Sequence, residues 1–131
     1  MIHTNEPVGH RYPGKSENTL AQIYDIIKRF PNNKIVLAHW GGGIFFYGLL
    51  KKEAKEALKN TWLDTAASPF LYDPAIYRHA IDIVGVEKIL FGTDSPLIRP
   101  GRYFKEFETA GLTPEEINAV CGENAQKLIS F

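Results

Sequence analysis

The sequence predicts an α/β fold with a parallel sheet, on three observations. Short apolar runs alternate with amphipathic stretches of helical period, and a polar residue follows each run, at His3, His39, Asp64 and Asp94. Those four residues are separated by 36, 25 and 30 positions, close to the roughly 30 residues that one strand-and-helix unit occupies. Alternation of this kind builds a parallel sheet with right-handed crossovers, and such sheets collect their chemistry at the C-terminal ends of the strands.

Each element has its own local signal. Met1–Thr4 reads as a remnant of a first strand. Leu20, Ile23, Ile27 and Phe30 recur at spacings of 3, 4 and 3, an amphipathic helix after cap candidates Ser16 and Asn18 that Pro31 closes. Lys34-Ile-Val-Leu-Ala-His39 is a short, β-branched apolar run entering Gly41-Gly42-Gly43, as a buried strand entering a loop does. Phe46, Leu50, Ala54 and Leu58 form an i+4 stripe opposite Lys51, Lys52, Glu53, Lys55 and Glu56, which predicts a helix over 45–59 with a solvated charged face. Thr61-Trp-Leu-Asp-Thr65 and Lys88-Ile-Leu-Phe-Gly92 read as further strands. Between them, Asp73 caps a helix opened by Pro74, carrying Ile76, Ala80 and Ile83 and stopped by Gly85. Thr113-Pro114-Glu115-Glu116 is a capping box with proline at the first helical position. It leads into Ile117, Val120, Cys121, Leu128 and Ile129.

Composition limits what the chain does. Its 131 residues are 44% hydrophobic and 12% aromatic, enough for one core, and with no linker or low-complexity stretch they predict a single domain over 1–131. Fifteen basic residues balance fifteen acidic ones, so there is no basic excess to neutralise a nucleic acid. Cys121 is the only cysteine, which excludes an intrachain disulfide and a multi-cysteine zinc site and suits a reducing compartment. No apolar run approaches the roughly 20 residues of a membrane helix, and the N-terminus lacks a signal sequence. The expectation is a cytoplasmic protein acting on a small molecule.

Imidazole and carboxylate at adjoining strand ends are able to hold a divalent metal, lower the pKa of its bound water and supply the base that deprotonates it. His3, His39 and Asp94 are the candidates. The alternative for each is the ordinary one, a strand-end side chain capping its own loop.

Four segments carry a resemblance: His3-Thr-Asn-Glu-Pro-Val-Gly-His10, Leu37-Ala-His-Trp-Gly-Gly-Gly43, Phe91-Gly-Thr-Asp-Ser-Pro96 and Glu123-Asn-Ala-Gln-Lys-Leu128. They resemble the second half of the amidohydrolase-related, metal-dependent hydrolases, a family that also includes aminocarboxymuconate-semialdehyde decarboxylase. The resemblance spans essentially the whole chain and implies a (β/α)8 barrel with a divalent metal, commonly zinc. It implies that His3, at the fifth strand, is a metal ligand, that His39, at the sixth, polarises or protonates the substrate, and that Asp94, at the eighth, binds metal and acts on the nucleophilic water. The reaction so implied is hydrolysis of a small-molecule C–N or C–O bond, with decarboxylation as the alternative within the same site.

The family's first strand contributes a His-x-His pair of metal ligands, and this sequence contains no such pair. A barrel of this kind takes about 250 residues, so the chain corresponds to about four of eight units. The expectation is a TIM-barrel-like half barrel of four βα units plus a C-terminal helix, beginning at an internal start, a truncation or a split gene product. An open half barrel exposes strand edges and an apolar inner face. A homo-oligomer or a complementary N-terminal half-barrel is therefore expected, with His10 as a substitute ligand where two copies meet. Without either, the chain reads as a non-catalytic fragment or interaction module.

Gly9-His-Arg-Tyr-Pro-Gly14-Lys15-Ser16 also matches the phosphate-loop pattern G-x-x-x-x-G-K-[ST]. The residues before it are polar rather than a core strand, and Pro13 lacks an N–H where phosphate needs donors. In the hydrolase reading this stretch is a loop over the barrel mouth, from which Glu6, His10, Arg11 or Lys15 contacts an anionic substrate. Asp64 either contacts substrate from the seventh strand or binds the N–H groups of its own loop.

Overall fold

The computed structural model describes residues 1–9 and 11–130; His10, a substitute ligand in the sequence reading, lies outside the described residues. The architecture is α/β. Strands β1 (Ile35–Leu37), β2 (Thr61–Asp64) and β3 (Ile89–Leu90) form a parallel sheet in the order β1-β2-β3. Ile2 extends it by one parallel bridge to Leu37, with Ile2 N–H donating to Val36 O at 2.7 Å and Ala38 N–H to Ile2 O at 3.0 Å. Four successive chain segments thus lie side by side in chain order, as consecutive units of a barrel wall do.

The crossovers are helical. Helix α1 (Leu20–Arg29) precedes β1, α2 (Lys52–Ala57) precedes β2, and α3 (Ser68–Leu71) and α4 (Ala75–Val84) lie between β2 and β3. After β3 come α5 (Pro100–Thr109), α6 (Pro114–Asn118) and α7 (Asn124–Ile129). Helix α1 is capped by Thr19, whose side chain accepts from Gln22 N–H while Gln22 returns a bond to the Thr19 N–H; the caps expected at Ser16 and Asn18 are displaced by this reciprocal pair. Asp73 accepts from Ala75 N–H at 2.9 Å at the start of α4, and Gly85 ends it at a φ of 92°. Thr113 and Glu116 form the expected capping box on α6.

The helix expected over 45–59 is broken. Trp40 and Gly41–Gly43 have left-handed φ/ψ within the 3₁₀-type segment His39–Leu49, and Leu50 is extended before α2 begins. The hydrophobic phase therefore does not run through, and Phe46 and Leu50 are 60% and 56% exposed while Ile44, Phe45 and Ala54 are buried. The last helix is continuous in sense but contains a π-helical stretch, Ala119–Glu123, between α6 and α7. A π turn delays the side chains relative to the 3.6-residue period. Ile129, expected on the apolar stripe, is consequently 67% exposed, whereas Asn124 is 3% exposed. Asn124 donates to Val86 O at 2.7 Å and to Ile89 O at 2.9 Å, fastening α7 to the beginning of β3.

The core lies between sheet and helices: Ile23 and Ile27 of α1, Leu37, Leu63 and Ile89 of the strands, Tyr77 and Ala80 of α4, and Tyr103 and Phe107 of α5. Trp40, Tyr77 and Phe107 stack edge to face in series, with centroids 5.2 and 5.1 Å apart. Such pairs add directional preference to the area they bury. Among the described residues no helix is long and apolar enough to cross a membrane.

Helices α4 and α6 are joined by Arg78, whose two terminal nitrogens reach Glu116 Oε1 at 2.9 Å and Oε2 at 2.6 Å. This forked pair lowers the pKa of Glu116. A lowered folded pKa stabilises the fold above the carboxylate's unfolded pKa, and that contribution fades as pH falls through the folded value. Arg78→Ala is expected to cost about 1 kcal/mol at neutral pH and to flatten the acid limb of the stability profile, read by urea unfolding between about pH 3 and 7.

Candidate functional site

Burial of one carboxylate organises the C-terminal ends of the strands. Asp64 closes β2, and its Oδ1 accepts from His39 N–H at 2.8 Å and from Ala66 N–H at 3.0 Å. The first bond crosses from β2 to the residue just beyond β1. Burial raises the pKa of Asp64, the two N–H donors oppose that rise, and the nearby Asp94 adds to it.

The backbone held there is unusual. His39, Trp40, Gly41, Gly42 and Gly43 all have positive φ, between 54° and 93°, a conformation that costs roughly 1–2 kcal/mol per residue bearing a Cβ. Glycine removes that cost at three of the five positions. At Gly42 it is also a matter of space, because a Cβ would lie 2.4 Å from Asn5 O. The triple glycine thus lets the His39 turn close against the backbone that carries His3. Trp40 anchors the same turn beneath, its indole N–H donating to Ser68 Oγ at 2.9 Å.

The hydrogen bonds assign the ring nitrogens. His39 Nδ1 lies 2.9 Å from Ala66 O, and since a carbonyl only accepts, Nδ1 carries the proton. Neutral His39 therefore presents Nε2 with a free lone pair. Asn5 Nδ2 donates to Ser16 O at 2.9 Å and Asn5 Oδ1 accepts from the Tyr12 hydroxyl at 2.7 Å. That orientation makes His3 Nε2, 2.9 Å from Oδ1, the donor and leaves His3 Nδ1 with a lone pair. The two imidazoles meet edge on, with centroids 5.0 Å apart.

A cavity of about 460 Å³ opens here, and His3, Glu6, Lys15, His39 and Asp94 border it together. Asp94 is held at a φ of 56° in the turn after β3, and Leu97 N–H donates back to Asp94 O at 2.9 Å. Phe70, Leu71 and Leu97 supply apolar walls. Glu6 Oε2 accepts from the Tyr72 hydroxyl at 2.7 Å, and burial together with Glu6 pushes the Tyr72 phenol well up. Lys15 Nζ donates to Gly9 O at 2.6 Å.

The remaining candidate residues take separate places. Arg11 is exposed and does not border the cavity. Asp64 is buried and accepts from the Ala66 N–H of its own loop, as in the second reading of that residue, and also from the His39 N–H, which makes it a positioning residue for His39. The phosphate-loop pattern does not build a phosphate loop: α1 starts only at Leu20, beyond Lys15-Ser16, while Gly9 N–H and Lys15 N–H turn to Glu6 O and Tyr12 O. Asn5, Ala66 and Ser68 went unnoticed in the sequence because their contributions are one amide, one carbonyl and one hydroxyl brought in by folding.

Among the described residues no three His, Cys, Asp or Glu side chains come close enough together to hold a metal ion. His3 and Asp94 are a partial donor set. These residues do not on their own fit a divalent metal.

The profile of the amidohydrolase family matches residues 1–131. No curated protein matches the chain. Among solved structures, the 5-carboxyvanillate decarboxylase of Sphingomonas paucimobilis superposes with a TM-score of 0.68 at 23% identity, over 82% of this chain and 38% of its own. The dihydroxybenzoic acid decarboxylase of Polaromonas sp. JS666, solved with bound manganese and the inhibitor 2-nitroresorcinol, gives 0.65 at 21% identity, over 83% and 37%. A Pseudomonas putida protein described as a candidate 2-pyrone-4,6-dicarboxylic acid hydrolase gives 0.59 at 18% identity, over 83% and 48%. The chain spans less than half the length of each, which agrees with a partial barrel.

Three substitutions test this arrangement. Asp64→Ala strands two buried N–H groups and is expected to cost about 2–4 kcal/mol, whereas Asp64→Asn keeps an acceptor and is expected to stay within about 1 kcal/mol of the parent at neutral pH. Because the folded pKa is raised, the stability that Asp64 contributes falls away as pH climbs from the unfolded value through the folded one; the Asn variant lacks that slope in urea unfolding. Gly42→Ala places a methyl against Asn5 O and is expected to cost about 3 kcal/mol in the same measurement.

Proposed function

This chain belongs to the amidohydrolase family, and we propose that it supplies His3, His39 and Asp94 to a site that hydrolyses a C–N or C–O bond of a small molecule. The observation that carries the reading is the convergence of these three residues on one cavity, with His39 Nε2 free of any proton in the neutral ring. Nε2 is able to take a proton and, once cationic, return it to a leaving group, while its Nδ1–H stays on Ala66 O. Asp94 is acceptor-only when ionised and serves as the partner base bordering the same cavity. Lys15, on the cavity wall, supports a negatively charged substrate group. Glu6 borders the same cavity, its carboxylate held by the Tyr72 hydroxyl.

A divalent metal, zinc in the reading from the sequence, belongs to this proposal only with donors from outside the described residues. The proposed source is a second copy of the chain or a complementary N-terminal half-barrel. Decarboxylation is the second reading. The apolar wall of Phe70, Leu71 and Leu97 suits an aromatic ring, and two of the structurally similar proteins are decarboxylases of aromatic acids.

The test begins with metal per chain by elemental analysis of the purified protein at its native oligomeric mass, alone and with an N-terminal half-barrel. Near-stoichiometric metal that disappears in His3→Ala supports the reading; no metal in either preparation overturns its metal-dependent form. Turnover of lactone, amide and aromatic-acid panels is expected to fall at least about 100-fold in His39→Ala and in Asp94→Asn. Carbon dioxide release separates the two reactions, and full activity in either variant refutes the roles assigned here.

A further inference from the structure

Beneath the His39 turn a run of polar groups leads away from the cavity. Trp40, Ser68 and Tyr77 are each no more than 1% exposed. The Trp40 indole N–H donates to Ser68 Oγ at 2.9 Å, and the Ser68 hydroxyl hydrogen-bonds the Tyr77 side chain. The Tyr77 hydroxyl donates to Glu106 Oε2 at 3.0 Å. An indole is donor-only and an ionised carboxylate is acceptor-only, so every bond between them runs one way, from Trp40 to Ser68 to Tyr77 to Glu106. The line crosses from the His39 turn through α3 and α4 to α5. Its last member, Glu106, is the one that is partly exposed.

The turn at the other end needs such a hold. His39 and Trp40 bear a Cβ at φ of 54° and 58°, and strained backbone of this kind persists only where the surroundings over-determine it. Tyr77 and Asp73 face Glu106 from the α4 side, and Arg102 and Tyr103 from its own helix. Arg102 also donates to Pro69 O at 2.9 Å, so α5 grips α3 twice, once directly and once through Tyr77. Burial raises the pKa of Glu106, Tyr77 and Arg102 oppose that rise, and Asp73 adds to it.

We propose that Glu106 is a positioning residue for the His39 turn, acting through Tyr77, Ser68 and Trp40, and that the turn loosens when this carboxylate takes up a proton. Ionised Glu106 accepts a charge-assisted bond from Tyr77, which makes the Tyr77 oxygen a better acceptor for Ser68 and the Ser68 oxygen a better acceptor for Trp40. A protonated carboxyl accepts more weakly, and its own O–H competes as a donor toward Tyr77. The consequence for catalysis rests on the role proposed for His39. The test reads the turn itself, so either idea can fail without the other.

The indole N–H resonances of Trp40 and Trp62, the two tryptophans of the chain, are followed in isotope-labelled protein between about pH 4 and 8. Trp40 is expected to shift in a step whose midpoint lies above the ordinary glutamate value, with Trp62, which donates to Glu87 O at 3.2 Å, as the reference. Glu106→Gln keeps an acceptor without a titrating group and is expected to abolish that step. Tyr77→Phe is expected to abolish it as well, although Glu106 still titrates. At neutral pH, exchange of the Gly41 N–H, which donates to Ala38 O at 3.1 Å, is expected to rise about tenfold in Glu106→Leu and to stay within about twofold of the parent in Glu106→Gln. The absence of a step at Trp40 in the parent overturns the proposal. A step that survives Glu106→Gln belongs to another carboxylate, Asp64 foremost, and overturns it too. Survival in Tyr77→Phe does the same, because the field of Glu106 through space then suffices. Unchanged Gly41 exchange in Glu106→Leu removes the positioning role, and the Gln and Phe variants, which preserve size, decide the matter if the Leu variant does not fold.

Discussion

The C-terminal face of this half barrel depends on a carboxylate that is buried at an energetic cost. Asp64 gives up water so that one oxygen can accept two backbone N–H groups, and one of them belongs to His39 across the strand boundary. Removing water from a carboxylate is expensive unless hydrogen bonds replace it, and two N–H donors are that replacement. In return the strand ends of β1 and β2 are fastened at a fixed offset, and the imidazole between them has its rotation stopped by Ala66 O. Parallel pairing alone gives the register Leu37 with Leu63; it leaves the next residues to be directed by side chains.

The His39 turn shows how a functional side chain is positioned by residues that never touch a ligand. A run of left-handed backbone is costly for residues with a Cβ, and here it is tolerated because glycine fills three positions and Trp40 is locked below by Ser68 and Tyr77. The close approach of Gly42 to Asn5 draws the N-terminal segment in. Asn5 then sets the tautomer of His3 while holding Ser16 and Tyr12. A single chain of contacts therefore connects the strand-two carboxylate to both imidazoles. Both ring nitrogens left with lone pairs belong to residues bordering the same cavity, which makes that end of the sheet suited to proton transfer.

The parts legible in the sequence were those with local causes. Strand positions followed from short apolar runs, α4 from Asp73-Pro74 and Gly85, and α6 from its capping box, since each signal acts within about one turn of the chain. The polar residues closing the strands were legible for the same reason, and His3, His39 and Asp94 do border one cavity. What escaped were features set by contact between distant segments. The stripe from Phe46 to Leu58 has helical spacing, yet Gly48 packs so closely on Ile83 that a Cβ there would stand 2.8 Å from it, and the chain breaks at Leu50 instead of continuing. The π stretch is likewise invisible in periodicity, because it exists to bring Asn124 to the carbonyls before and in β3.

By itself, then, the sequence determined the α/β class, the parallel order of the strands, the family and the residue types available at the strand ends, because periodicity, caps and motifs are properties of short stretches. Tertiary structure alone decided that Asp64 holds the His39 and Ala66 N–H groups, that Arg11 stands away from the cavity, and that His3 and Asp94 remain a partial donor set among the described residues. The physical reason is the same in each case. Whether a carboxylate, an imidazole or a hydroxyl serves a ligand depends on which donors and acceptors satisfy it first, and those arrive from segments tens of residues away.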